Sequence, residues 1–316
     1  MLPPWSHLRR PAHAAAFLAA AVLALASCSD DRQRPAAESA AEGAVSVVDD
    51  AGRTVTLPRP ARRIVALMPS ATETLLALGA RDRLAGRTDF DAGMGIDSLP
   101  SVGGGLTPSV ETIVSLRPDL VIGWETEGPA ALRDRLTGVG IPVFAVKTED
   151  TTDVFRAIRN LGRLTGLERA ADSVSASLRG ELEAVRRSVE GRPRPTVFYV
   201  AWYDPPTTAG PKTFITQLIE TAGGSPAFPD ATALWPNVSL EELVRRQPDF
   251  LVVPDAGAGG ARVAELRRTP GWRELRAFSE GRAVTIPDRV VNRPGPRIGE
   301  AARALRDALH PEAAPR

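Results

Sequence analysis

Two hydrophobic periods run along this chain, and the places where one gives way to the other mark out its elements. Between Leu167 and Glu190 the apolar residues Leu167, Ala170, Val174, Leu178, Leu182, Val185 and Val189 recur every three or four positions. That spacing is one face of an amphipathic helix, with Arg169, Asp172, Arg179, Glu181, Glu183, Arg186 and Arg187 round the rest. Gly166 stands before it, and Gly191, Pro193 and Pro195 close it. Some two dozen residues rising about 1.5 Å each predict a rod of roughly 36 Å. The sequence on its two sides follows one plan. Residues 167–190 are therefore expected to join two lobes, residues 45–166 and 191–316, rather than to lie inside one domain.

In the first lobe, residues 45–57 alternate about an Asp-Ala-Gly turn and predict a β-hairpin. Short apolar runs at 63–67, 84–86, 120–124 and 143–146 predict buried strands. Helices are expected after Pro69, from Ser109 to a break at Pro118, and over 130–136. Ser70 and Glu73 have capping-box spacing, which assigns Glu73 to a helix start. The second lobe has strand patterns at 196–200, 250–253 and 283–286, with helices at 214–222 and 298–309. Strands alternating with helices predict an α/β fold in which each parallel sheet is covered on both faces. The lobes also echo each other in sequence. Ser109, Glu111, Pro118 and Asp119 recur at the same offsets as Ser239, Glu241, Pro248 and Asp249, and an apolar strand follows each set.

A length of 316 residues suits two domains, and 43% apolar residues is enough for two cores. Thirty-nine basic against 38 acidic residues leave no field that would favour nucleic acid or an anionic bilayer. Arg9 and Arg10 precede an apolar run from about Ala14 to Ala26, which is short for a bilayer span and reads as a secretory signal, residues 1–27. The run ends in Leu25-Ala26-Ser27-Cys28, similar to a bacterial lipobox, so Cys28 is the expected site of lipidation; a plain signal with a chance cysteine is the alternative. Residues 28–44 are polar and Ala-rich, a tether. The mature protein is expected on the periplasmic or extracytoplasmic face, touching the membrane through that anchor alone.

The histidines are His7, His13 and His310, and Cys28 is the single cysteine, so Ser-His and Cys-His catalysis and histidine zinc sites have no material in the lobes. The glycines between Asp255 and Gly260 lack a phosphate-loop lysine and the dinucleotide spacing. No catalytic constellation, metal or cofactor is expected. Three tryptophans attract notice instead. Trp124 ends a strand, Trp202 follows one, and Trp235 lies in Leu234-Trp235-Pro236. Ligands of open parallel sheets sit beyond the carboxyl ends of the strands, so aromatics offered there by two lobes suit a large, flat, partly apolar ligand. Ordinary core packing is the alternative for any one of them.

The chain from about Val47 to Leu309 resembles the substrate-binding proteins of cobalamin, haem and ferric-siderophore ABC importers. The segments RIVALMPSATETLLALGA, SVETIVSLRPDLVIGW, WPNVSLEELVRRQPDFLVV and NRPGPRI carry the resemblance. It implies two Rossmann-like lobes with parallel sheets joined by one long rigid helix. It further implies a monomeric receptor without enzymatic activity that serves a permease and its ATPase. Among these proteins the chain is most similar to the cobalamin receptors, whose pocket aromatics correspond to Phe90, Trp124 and Trp235, and whose polar contacts correspond to Arg293 and, across a one-residue gap, Asp288. Two aromatics of that pattern are missing, one near Gly105 and one at Thr207, and Trp202 and Tyr203 are the candidates to compensate. The family's permease-docking glutamates correspond to Glu111 and Glu241, although a first-turn position at a helix N-terminus would also account for them. Glu242 holds the capping-box position after Ser239, which leaves Glu241 without a local role.

The expected ligand is cobalamin or a related corrinoid. A haem receptor, with Tyr199 or Tyr203 as the iron ligand, and a ferric-siderophore receptor using Arg87, Arg289, Arg293 and Arg297 are the competitors within the family. A two-lobed cleft enzyme is the competitor from another class.

Overall fold

The computed structural model describes residues 43–125, 130–257 and 259–313. The proposed signal, Cys28 and most of the tether lie outside the described residues. From Gly43 onward the chain forms one compact unit, whose described residues make two four-stranded sheets and two two-stranded ribbons.

An antiparallel hairpin of β1 (Val45–Val48) and β2 (Thr54–Leu57) leads in. The first lobe then runs β3 (Ile64–Ala66), α1 (Pro69–Ala77), β4 (Leu84–Gly86), α2 (Val110–Ser115), β5 (Leu120–Trp124), α3 (Ala130–Gly138) and β6 (Val143–Val146). All pairings in its sheet are parallel, in the order β4-β3-β5-β6. Two helices follow, α4 (Thr151–Thr165) and α5 (Glu168–Ser188). The second lobe runs β7 (Thr196–Tyr199), a small ribbon of β8 (Trp202–Tyr203) and β9 (Pro206–Thr207), α6 (Phe214–Thr221), β10 (Ser225–Pro226), α7 (Leu240–Arg246), β11 (Phe250–Asp255), α8 (Ala261–Leu266), α9 (Arg276–Ser279), β12 (Ala283–Pro287), α10 (Asp288–Val291) and α11 (Ile298–Leu309). Its parallel sheet has the order β10-β7-β11-β12, the topology of the first.

The sequence echo is carried into the backbone. Ser109 and Ser239 cap α2 and α7, their hydroxyls accepting from the N–H groups of Thr112 and Glu242. Each helix is followed by a non-glycine residue in the left-handed region just before proline, Arg117 at φ 45° and Gln247 at φ 44°. Asp119 then accepts from the N–H groups of Arg62 and Arg63, and Asp249 from that of Thr196, so each carboxylate pins the start of its lobe's central strand.

Two side chains depart from the capping expectation. Proline at N1 starts α1 at Pro69, with Met68 as an unassisted cap, so Ser70 and Glu73 lie inside the helix. Glu242 receives the Ser239 cap at its N–H, but its carboxylate is drawn to Arg245 and Arg246.

One face of each sheet builds its own cluster: Val65, Val121, Ile113 and Leu136 in the first lobe, Phe198, Leu251, Leu243 and Trp272 in the second. The other faces share a single core. It runs from Ile64, Leu120 and Phe144 through Leu161 and Leu164 of α4 and Leu178 and Val185 of α5 to Val197, Val252 and Leu305. The predicted rod is thus the middle layer of a continuous apolar core. Glycines let both lobes approach it. A Cβ on Gly162 of α4 would stand 2.5 Å from that of Ala171, and one on Gly299 of α11 would stand 2.3 Å from the Glu181 carboxylate. Helix α4, absent from the elements read off the sequence, is the first-lobe partner in this contact. Its signal was present: Asp150 and Asp153 form a reciprocal capping box, and Val154, Ile158, Leu161 and Leu164 repeat with helical period.

Candidate ligand-binding cleft

Parallel strands gather the functional candidates at their carboxyl ends. In the first lobe Trp124 closes β5, and the chain after β4 carries Arg87 and Phe90. Backbone pairing of Gly103 with Pro108, and of Val102 with Arg87, folds the glycine loop back over the strand ends. Phe90 touches this loop at Gly104 and Trp124 at Gly105. A Cβ on Gly105 would meet the Leu67 carbonyl at 2.1 Å and the Trp124 ring at 2.8 Å, so the missing aromatic has no room there while Trp124 keeps this position. Phe90 is 60% exposed and Trp124 half-buried.

In the second lobe Trp202 pairs with Thr207 across the β8–β9 ribbon, and Thr207 bridges to Asn237, with its hydroxyl 2.7 Å from the Asn237 Oδ1. This arrangement sets Trp235, 46% exposed, on the segment that pairs with β9, while Trp202, 58% exposed, lies across the ribbon on β8. The Trp202 and Tyr203 rings lie 5.6 Å apart, and the Arg262 guanidinium sits 4.4 Å over Tyr203. Below them a cavity of about 370 Å³ is lined by Trp202, Tyr203, Asp255, Arg262, Glu265 and Asp288. Asn292 donates to Asp288 and accepts from the Tyr199 hydroxyl. Tyr199 is 1% exposed, and burial, reinforced by the charge of Asp288, pushes its phenol well above the usual range. It is a core residue, whereas Tyr203 reaches the cavity.

The structure sets Phe90 and Trp124 near neighbouring glycines of one loop, and gathers Trp202, Tyr203 and Asp288 round one cavity. Arg293 is where the lobes meet. Its guanidinium donates to Glu73 of α1 at 3.0 Å and to the carbonyl of Phe90 at 3.0 Å. Arg297 approaches the same Glu73 oxygen at 3.5 Å and pairs with Glu300 at 2.6 Å. Glu73 is therefore no helix-start residue but a carboxylate 7% exposed, and burial pushes it up although Arg293 and Arg297 pull it down. Sequence reasoning missed this role. The available signal was the near absence of charge along Pro69–Leu78, which marks a helix buried along most of its length. Arg87 keeps to its own loop, donating to the Thr88 carbonyl, and Arg289 lines the interlobe cavity.

Glu111 and Glu241 occupy the first turns of α2 and α7. Both are exposed, and no ion pair to either occurs among the described residues. Each helix runs antiparallel to the strand it enters, so its N-terminus lies at the cleft end of its lobe.

The periplasmic binding protein family model matches residues 64–290, which takes in both sheets. The chain belongs to that family. It is a substrate-binding protein of the kind that serves ABC importers, a class of receptors that bind and hand over rather than catalyse. It is 28% identical over 309 residues to the ABC transporter substrate-binding lipoprotein YvrC of Bacillus subtilis, across 94% of this chain and 96% of that one. It is 32% identical over 288 residues to a cobalamin-binding protein of Halobacterium salinarum, across 88% and 77% of the two chains. Among solved structures, the vitamin B12 binding protein BtuF of Vibrio cholerae superposes with a TM-score of 0.68 at 23% identity, covering 80% of this chain and 98% of that one. The haem-binding protein RhuT of Roseiflexus superposes with a TM-score of 0.71 at 27% identity, covering 80% and 99%. No helix among the described residues is long and apolar enough to cross a membrane.

Proposed function

We propose that this receptor captures cobalamin or a related corrinoid between its lobes and delivers it to a membrane permease and its ATPase. In this reading the protein works as a monomer tethered through Cys28. Phe90, Trp124, Trp202, Tyr203 and Trp235 supply the aromatic walls, and Asp288 and Arg293 the polar contacts. The observation that carries the reading is the charge state of the cleft. Haem brings two propionates and many ferric siderophores bring several acidic groups, so either would call on free guanidinium groups. Arg293 and Arg297 are instead held by Glu73 and Glu300, which leaves Arg289 as the one arginine of the interlobe cavity without an ion pair among the described residues. A corrinoid presents a flat macrocycle rimmed by neutral amides, whose N–H groups suit acceptors such as Asp288.

Relatives named for cobalamin add support. A haem receptor is the second reading, favoured by Tyr203 at the cavity and by the likeness to RhuT, although Tyr199 is too deeply buried to reach an iron. Docking would use Glu111 and Glu241, exposed at equivalent places on the two lobes. Calorimetric titration of the soluble chain against cyanocobalamin, cobinamide, haemin and a ferric hydroxamate tests the ligand. The corrinoids should bind tightest; tighter binding of haemin or the hydroxamate would overturn the reading.

A further inference from the structure

Three arginines and two glutamates face one interlobe cavity of about 470 Å³, with Leu76 of α1 and Leu178 of α5 among its apolar walls. The five charges are not equally free. Glu181 is spent on Arg303 at 2.7 Å, and Arg297 is shared with Glu300. Arg289 has no ion pair among the described residues. Glu73 is what compensates Arg293. Its Oε1 takes both Arg293 and Arg297, while its Oε2 is buried in the same wall without a hydrogen-bond partner. A carboxylate with one oxygen unsatisfied in a 7% exposed position is costly to keep for stability alone.

We propose that Glu73 is a specificity-determining residue, a built-in counter-charge that holds Arg293 and Arg297 and so excludes anionic ligands from this cavity. The inference rests on this cavity, which shares Arg293 with the proposed polar contacts, being part of the ligand site, and it assigns the excluded class as compact anions bearing two or more carboxylate-like or sulfonate-like groups. With Glu73 ionised, the fork of Arg293 is already filled by a carboxylate. With Glu73 neutral, Arg293 joins Arg289 in facing the cavity uncompensated and Arg297 keeps only Glu300, a ready receptor for an anion. Screening is weaker here than at the surface, because Arg293 is only 19% exposed.

The filter is also open to protons. Burial raises the Glu73 carboxyl, so it neutralises earlier in acid than an exposed glutamate, and anion binding by the native chain should rise as pH falls. The groups around it are Arg289, Arg293, Arg297 and Glu300 from the second lobe, Glu181 from α5, and Asp91 from the turn packed on α1. Arginines stay charged throughout this range. Asp91 is held by the N–H and hydroxyl of Thr88.

Benzene-1,3-disulfonate tests this directly, because its charges do not titrate and its ring suits the apolar wall. The matched dication, 1,3-bis(aminomethyl)benzene, is the control. Glu73→Gln should bind the disulfonate about tenfold more tightly than the native chain near neutral pH, and the dication less tightly. Loosening of the fold would move both probes the same way. The native chain should gain disulfonate affinity as the solution is acidified from neutrality, while the variant stays flat. Equal affinities in the two proteins, or a flat profile for the native chain, would overturn the proposal. Should Glu73→Gln fail to fold, the native pH series decides alone. Cyanocobalamin titrated into the native chain reports on the corrinoid reading separately, so the two can fail independently.

Discussion

Trp124 lies with its ring edge over Gly105, and Trp235 stands beside the ribbon that carries Trp202, so each lobe presents an indole where its strands end. Trp124→Ala and Trp235→Ala should each weaken corrinoid binding by about 1–3 kcal/mol, through lost stacking and apolar contact. Calorimetry checks this, and unchanged affinity in both variants would place the ligand elsewhere. The tyrosines should separate. Tyr199→Phe removes the hydroxyl bonded to Asn292 and should cost about 1 kcal/mol of stability in denaturant titration. Tyr203→Phe should leave stability unchanged and corrinoid affinity within about tenfold. These aromatics could be read from the sequence because a strand's apolar run stops where its carboxyl end begins. The partnership of Glu73 with Arg293 and Arg297 could not, since it joins residues more than 200 positions apart and depends on the packing of two lobes.

Among the elements, the paired carboxylates Asp119 and Asp249 show how the duplicated plan is held. Burial alone would raise the Asp249 carboxyl, but the N–H and hydroxyl of Thr196 together hold it below its usual range. A depressed carboxyl contributes stability above its unfolded-state value and loses it as pH falls through the folded-state value. Asp249→Asn should therefore be less stable than the native chain near neutrality, with the difference shrinking in acid. Denaturation midpoints measured across that range check the sign, and a gap that widens in acid would contradict it. Helix α5 was legible because its stripe runs six turns between clear stops. Helix α4 is harder to read although its capping box and its period are both written, because it begins a few residues after β6, where the alternation of strands and helices is already complete. Gly162→Val should test the α4–α5 contact. The added bulk collides with Ala171, and a loss of about 1–3 kcal/mol is expected in chemical denaturation.

For the molecule as a whole, connections of several kinds tie the lobes. The core is continuous through α5; Thr151 at the start of α4 bonds Gln217 of α6 through its N–H and hydroxyl; and Glu73 clasps Arg293. A packed helix within a continuous core resists the large closure that a loop hinge permits. Small-angle scattering should give nearly the same radius of gyration with and without ligand, and marked compaction would refute this. The duplicated lobes also place Glu111 and Glu241 on equivalent helix starts. Glu111→Arg combined with Glu241→Arg should fold and bind ligand as the native chain does yet fail to support uptake, because cation would face cation at the permease, a cost of several kcal/mol. Growth on limiting cobalamin equal to that of the native protein would return both glutamates to a purely helical role.

Titration of the soluble native chain with cyanocobalamin, followed by tryptophan fluorescence, tests the central claim most directly. Trp124 is half-buried and Trp202 and Trp235 are exposed, whereas Trp272 is buried in the second lobe's own cluster. A corrinoid held between the lobes should quench the emission saturably at one ligand per chain, with a smaller amplitude in Trp124→Ala and Trp235→Ala. No saturable quenching by cyanocobalamin, or the same amplitude in all three proteins, would contradict the account.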